Sequence, residues 1–115
     1  MTLDSSTIAI AAVAALFLVK LALARRAPAA AVAAKIAAGA TVLDVRSPGE
    51  FSGGAYRGAI NVPLQELSGR LSRIPRDRPV VVYCASGTRS ALAVRLLKKA
   101  GYADVLNAGG LHHLG

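Results

Sequence analysis

The segment from Pro79 to Leu97 constrains the fold of this chain more than any other part of its sequence. A run of β-branched residues ends in Cys84, a turn containing Gly87 follows, and an amphipathic helical pattern begins. Backbone N–H groups and the helix dipole favour an anion at such a junction, and Arg89 adds a full positive charge. The segment therefore predicts a reactive Cys84 thiolate. The alternative is a buried, inert cysteine at a strand end.

After residue 27, short apolar segments alternate with helical patterns. Strands are predicted at residues 41–44, 59–62, 79–83 and 104–107, and helices at residues 29–38, around Leu67, Leu71 and Ile74, and along Ala93, Leu96, Leu97 and Ala100. This alternation predicts an α/β domain with a parallel sheet of four to five strands and helices on both faces. The polar strand ends at Asp44, Asn61 and Cys84 are expected to meet at one edge of that sheet.

The N-terminal segment from Ile8 to Ala24 is apolar apart from Lys20, and Arg25 and Arg26 follow it. This pattern predicts a transmembrane helix within residues 1–26, ahead of a domain formed by residues 27–115. The positive-inside rule places that domain on the cytoplasmic side of a single-pass membrane protein. Two alternatives stay open: a signal peptide cleaved after the Ala-x-Ala motif that ends at Ala24, and a buried core helix.

Charge and composition limit the partners. The net charge is +8 and aromatic residues make up 4% of the chain, so the basic residues have no interleaved aromatic side chains on which bases could stack, and nucleic-acid binding is not predicted. A basic surface suits anionic substrates or an anionic lipid surface.

One cysteine excludes a disulfide framework within the chain and a multi-cysteine zinc site. His112 and His113 have no nearby partner ligands, so no metal or cofactor is predicted and a frayed terminus is expected.

Five short motifs follow one another along the chain: Leu43–Arg46, Pro48–Phe51, Gly58–Leu64, Cys84–Ser90 and Gly101–Gly110. In this order and spacing they resemble the rhodanese-like domain of the single-domain sulfurtransferase type, from about Val42 to Gly110. The resemblance implies that Cys84 is the nucleophile. Its thiolate would take the outer sulfur of thiosulfate or a similar donor as a persulfide, and would pass it to a thiol, cyanide or an acceptor protein.

The resemblance also assigns roles around the cysteine. The implied active-site loop comprises Ala85, Ser86, Gly87, Thr88, Arg89 and Ser90. Its N–H groups would cradle the terminal sulfur, and Arg89 would bind the sulfonate end of the donor. Asp44, Arg46 and Glu50 would support the loop, or would only tie neighbouring loops together.

Two other functions are compatible with the resemblance. Phosphatases and arsenate reductases of this fold place Arg six positions after Cys, whereas Arg89 lies five positions after Cys84, which favours sulfur transfer. The second alternative is a non-catalytic, membrane-tethered binding module. It gains some support because the chain departs from the family pattern: Ala55 and Arg57 replace a common His and Pro, and the usual Trp-bearing helix after Gly110 is missing.

Overall fold

The computed structural model describes residues 4–23 and 25–114, with the backbone alone for residues 19–23. The helices are α1 (Ser5–Leu23), α2 (Ala29–Ala37), α3 (Pro48–Ser52) and α4 (Thr88–Lys99). The strands are β1 (Thr41–Asp44), β2 (Ile60–Asn61), β3 (Val80–Cys84) and β4 (Val105–Gly110). Short 3₁₀ helices cover Leu64–Gly69, Leu71–Arg73 and Leu111–His113.

Within the described residues the sheet has four strands in the order β2-β1-β3-β4, all parallel. Asp44 is in register with Asn61 and with Tyr83, and Cys84 is in register with Gly110. The predicted parallel α/β fold is confirmed, and its strand ends meet at one edge. At the outer side of β4, Arg26 makes an isolated parallel bridge with Asn107.

Strand β3 is buried over its whole length and separates two hydrophobic clusters. Val80, Val82 and Cys84 belong to the cluster that includes the buried apolar residues of α4. Val81 and Tyr83 belong to the cluster that includes Val32 of α2 and Ala108 of β4. Because successive side chains of a strand point to opposite faces, helices cover both faces of the sheet, as predicted.

Two local predictions differ from the structure. The segment around Leu71 and Ile74 forms short 3₁₀ helices, separated at Arg70, instead of an α-helix. The Tyr102 hydroxyl donates to the carbonyls of Leu71 (3.1 Å) and Ile74 (2.7 Å) at the end of this segment. The expectation of a frayed C-terminus is wrong for residues 111–114. There the Gly110 N–H donates to His113 Nδ1 at 2.9 Å, and Leu111 and Leu114 pack against the second cluster.

Helix α1 lies within the predicted anchor, but the predicted transmembrane helix is not supported. In residues 4–23 and 25–114, no helix combines the length and the apolar character needed to cross a bilayer. The stretch without a polar residue runs from Ile8 to Val19. That is about 18 Å of helix, against a hydrocarbon core of about 30 Å. The predicted single-pass membrane localisation is therefore unsupported. Ala24, in the alternative cleavage motif, lies outside the described residues, as do residues 1–3 and Gly115.

Candidate active site

Cys84 is the last residue of β3 and is fully buried. Its Sγ accepts a hydrogen bond from the Gly87 N–H at 2.9 Å and one from the Ser90 N–H at 3.5 Å. The Ser90 hydroxyl lies 3.4 Å from the same sulfur. The strand ends here, and the chain turns back through the loop into α4, so these groups surround the thiol at the helix N-terminus.

Burial and hydrogen bonding act on the thiol in opposite directions. Burial raises the pKa of Cys84, but the Ser90 hydroxyl and the N–H groups of Ser90, Gly87 and Ser86 outweigh it. The net pKa is lower than the ordinary value of a cysteine. The groups that lower it most are electrically neutral hydrogen-bond donors, so the loop stabilises the thiolate mainly by hydrogen bonding, and a Coulombic interaction with the Arg89 guanidinium adds to this.

Asn107, on β4, ties this loop to the sheet. The Ser90 hydroxyl donates to Asn107 Oδ1 at 2.6 Å, and Asn107 Nδ2 donates to the Gly87 carbonyl at 3.2 Å. The Gly109 N–H also donates to Asn107 Oδ1, at 2.9 Å. The Ser90 hydroxyl therefore has three neighbouring acceptors for one proton: Asn107 Oδ1, the Gly87 carbonyl and Cys84 Sγ. When the sulfur is ionised, rotation of this hydroxyl can bring its proton to Sγ.

Glycines of the loop and of β4 allow the two backbones to approach closely. Gly87 has φ of +105°, in the left-handed region that other residues rarely adopt, and a Cβ there would come within 3.3 Å of Gly109. A Cβ on Gly110 would collide with the carbonyl oxygen of Ala85 and would lie 2.9 Å from His112 Nδ1. The Gly109–Gly110 pair thus lets β4 and the following histidines close over the loop.

Arg89 leaves the loop toward α3 and forms a two-pronged ion pair with Glu50. Arg89 Nη1 lies 2.7 Å from Glu50 Oε1, and Nη2 lies 3.0 Å from Oε2. Hydrogen bonding to Arg89, followed by that to the Ser47 N–H, lowers the pKa of Glu50 from 4.5 to about 2. Ser47 and Glu50 form the capping box of α3, which presents the carboxylate to the loop.

Asp44 and Arg46 lie on the other face of β3, beside Tyr83. The Asp44 carboxylate is fully buried and accepts from Arg46 Nη2 at 2.8 Å and from the Arg46 N–H at 2.8 Å. Arg46 also donates to the Gly54 carbonyl at 2.7 Å, and its guanidinium lies 5.4 Å from the centre of the Tyr83 ring. Burial first, and then Asp44, raises the pKa of Tyr83 to about 12. This pair organises the chain that carries Glu50.

The predicted site residues thus fall into three groups. The first group is the loop: Gly87 and Ser90 contact the sulfur, and Ser86 contributes an N–H. The residues Ala85, Ser86 and Thr88, in the same loop, are exposed. Arg89 pairs with Glu50. Asp44 pairs with Arg46 on the opposite face.

Sequence reasoning missed Asn107 as a site residue. Its signal was a polar residue inside the otherwise apolar strand β4, where a buried amide requires partners. The described residues contain no group of three or more His, Cys, Asp or Glu side chains placed to hold a metal ion.

The family model for the rhodanese-like domain matches residues 28–112. A sulfurtransferase of Allochromatium vinosum is 42% identical over 69 residues, which cover 60% of this chain and 64% of that protein. The thiosulfate sulfurtransferase PspE of Escherichia coli is 41% identical over 71 residues, covering 60% of this chain and 68% of the relative. The chain therefore spans about two thirds of the length of these two relatives.

A solved structure agrees with the sequence relatives. The crystal structure of a rhodanese-related protein from Thermoplasma volcanium is 38% identical and superposes with a TM-score of 0.65, over 78% of this chain and 89% of that one. The parallel sheet, the strand–cysteine–loop–helix segment and these matches lead to one assignment. The chain belongs to the rhodanese-like domain family.

Proposed function

We propose that this chain is a sulfurtransferase that carries the transferred sulfur on Cys84 as a persulfide. One observation carries the proposal: two N–H groups and one hydroxyl from Gly87 and Ser90 converge on a buried sulfur at a helix N-terminus. The relatives named as sulfurtransferases support the same role and imply a sulfur donor and a sulfur acceptor.

In the first half-reaction, the Cys84 thiolate attacks the outer sulfur of a donor such as thiosulfate. A bond forms between Sγ and that sulfur, the S–S bond of thiosulfate breaks, and its electron pair leaves with sulfite. The hydrogen bonds that lower the thiol pKa increase the fraction of Cys84 that is present as the nucleophilic thiolate.

In the second half-reaction, an acceptor thiolate or cyanide attacks the outer sulfur of the persulfide. The Sγ–S bond breaks, Cys84 leaves as a thiolate, and the acceptor becomes a persulfide or thiocyanate. The donors that lie around Sγ in the unloaded loop would then stabilise first the persulfide anion and later the thiolate leaving group.

Access to the sulfur requires the loop to move, because Cys84 is fully buried whereas Ala85 and Ser86 are exposed.

We assign Arg89 a positioning role instead of the sulfonate-binding role expected from the family. Both of its terminal nitrogens already donate to Glu50, so the pair fixes the start of α4 relative to α3.

The test is sulfur loading followed by turnover. Wild-type protein treated with thiosulfate is expected to gain the mass of one sulfur atom on Cys84, and to lose it on addition of cyanide as thiocyanate forms. Cys84→Ser is expected to do neither while keeping the wild-type circular dichroism spectrum and melting temperature.

The same measurements decide between this proposal and its alternatives. A folded wild-type chain that neither gains sulfur nor forms thiocyanate would favour the non-catalytic binding module. Hydrolysis of a phosphate monoester that disappears in Cys84→Ser would favour the phosphatase alternative.

A further inference from the structure

A cavity of about 470 Å³ adjoins the active-site loop. The residues that line it come from the loop, from α4, from the segment before α2 and from β4: Ser86, Gly87, Thr88, Ala91, Leu92, Arg95, Arg25, Arg26 and Asn107. Its volume lies in the range of pockets that hold organic ligands, about 300–1,000 Å³. It is far larger than a thiosulfate ion requires.

The charge of this cavity is positive. Arg25, Arg26 and Arg95 line it, and no Asp or Glu occurs among the described residues of its wall. Within the described chain these three guanidinium groups form no ion pair, whereas Arg46 and Arg89 each hold a carboxylate. The cavity therefore presents cations whose charge is not neutralised by a neighbouring side chain.

The segment that carries Arg25 and Arg26 is attached to β4 by backbone hydrogen bonding. Arg26 and Asn107 form an isolated parallel β-bridge, and the Ala27 N–H donates to the Asn107 carbonyl at 2.7 Å. Asn107 in turn donates to the Gly87 carbonyl. The segment that carries Arg25 and Arg26 is thus attached to the same residue that anchors the loop.

The wall also brings a ligand near the sulfur and offers it an apolar contact. Gly87 lines the cavity, and its N–H lies 2.9 Å from Cys84 Sγ. Ala91 and the half-exposed Leu92, near the start of α4, supply hydrocarbon surface to the same cavity. A ligand with a short carbon skeleton, several negative charges and a thiol would match these features.

We propose that this cavity binds the non-reacting, anionic part of the sulfur acceptor, which is a small organic thiol carrying at least two carboxylates. The inference rests on the proposed function. The guanidinium groups hold the carboxylates while the acceptor thiolate attacks the outer sulfur of the Cys84 persulfide. A new S–S bond forms on the acceptor, the bond to Sγ breaks, and Cys84 leaves as a thiolate, so no other oxidant or reductant is needed.

The kinetic test compares two acceptors on the thiosulfate-loaded full chain: mercaptosuccinate, with two carboxylates, and uncharged 2-mercaptoethanol, each at a known thiolate concentration. An exposed ion pair has a modest effect, about threefold for each of the two carboxylates, so we expect kcat/KM for mercaptosuccinate to be about tenfold higher. Raising NaCl from about 0.05 M to about 0.5 M should remove most of that preference. Equal kcat/KM values for the two thiols, or a preference insensitive to salt, would overturn the inference.

Substitutions of the cavity arginines test whether the acceptor binds in this cavity. Arg95→Gln should reduce the ratio of the two kcat/KM values by about threefold, and Arg25→Gln combined with Arg95→Gln by about tenfold. Lys98→Gln is the matched control, because it removes a positive charge from an exposed position of α4 that does not line the cavity. A ratio that falls equally in Lys98→Gln and in Arg95→Gln would contradict the assignment of this cavity.

A binding measurement separates this inference from the proposed function. Calorimetric titration of mercaptosuccinate into Cys84→Ser should show binding that weakens in the Cys84→Ser, Arg95→Gln double variant. If that holds but wild type transfers no sulfur, the cavity assignment stands as an anion site and the proposed function fails. If wild type transfers sulfur but Cys84→Ser binds no mercaptosuccinate, the proposed function stands and the cavity inference fails.

Discussion

Two successive residues of β3, Tyr83 and Cys84, face opposite sides of the sheet, and their polar surroundings are built differently. On the Tyr83 face, a full ion pair between Asp44 and Arg46 is buried, with side-chain exposures of 0% and 8%. On the Cys84 face, the groups that contact the sulfur are neutral: N–H donors and the Ser90 hydroxyl, held by Asn107. The loop's own formal charge, on Arg89, is paired with Glu50.

This contrast predicts that substitutions on one face change mainly the folding stability and that substitutions on the other change mainly the reactivity of the thiol. A buried charge that loses its partner is costly, so the Tyr83 face should control folding. Neutral hydrogen bonds alter a thiol pKa at lower cost, so the Cys84 face should control reactivity. The Glu50–Arg89 pair joins the two sides, because the chain that carries Glu50 is held by Arg46 through the Gly54 carbonyl.

The largest stability effect is expected on the Tyr83 face. Asp44→Ala would leave the Arg46 guanidinium buried without its carboxylate, and should lower the free energy of unfolding by about 3–5 kcal/mol. Urea denaturation measures it. Asp77→Ala is the control, because Asp77 also pairs with an arginine but is exposed, and no comparable loss is expected. Identical urea midpoints for Asp44→Ala and wild type would remove the proposed division between the two faces.

A smaller effect is expected from Asn107→Ala on the Cys84 face. Three groups lose a buried partner, the Ser90 hydroxyl, the Gly87 carbonyl and the Gly109 N–H, which should cost about 1–3 kcal/mol. Hydrogen exchange should accelerate at the Gly87 and Ser90 amides. Asn61→Ala is the matched control, since Asn61 donates to the carbonyls of Asp44 and Arg46 instead. Equal acceleration in both variants would show that Asn107 has no specific hold on the loop.

Reactivity, more than stability, should change in Ser90→Ala. Its hydroxyl lowers the pKa of Cys84, so that pKa should rise and the thiolate fraction near neutral pH should fall. Alkylation by iodoacetamide as a function of pH measures the shift. Ser72→Ala, which removes an exposed hydroxyl distant in sequence from the loop, should leave the profile unchanged. A Ser90→Ala profile that coincides with wild type would mean that the backbone donors suffice.

The smallest effect concerns the Glu50–Arg89 pair that joins the two sides. The pKa of Glu50 in the folded chain, about 2, lies below its ordinary value of 4.5. Its ionised form therefore stabilises the fold above about pH 4.5, and that contribution disappears as the pH falls toward 2. Glu50→Gln should have a flatter stability profile in this window, measured by thermal unfolding. In an Arg89→Gln background the same change should have little further effect; a full effect there would show that Arg89 is not responsible.

Some details of the fold could have been predicted more fully from local sequence. Ser47 and Glu50 have the spacing of a capping box, and this pattern was sufficient to predict α3. Gly69 within the segment around Leu71 argued against a continuous α-helix. The ordered C-terminal turn was not predictable in this way, because it depends on a hydrogen bond from Gly110 to His113 and on contacts with a distant cluster.

The sequence alone determined the parallel α/β fold, the position of Cys84 at the end of a central strand and the membership of a family. These follow from local causes: β-branched runs, helical periodicity and a glycine at a tight turn. Only the tertiary structure decided the partners. It paired Arg89 with Glu50, 39 positions away in the chain, placed Asn107 behind the loop and left three arginines around a cavity. Partner choice depends on strand register and on the approach of distant segments, and local sequence patterns do not encode either.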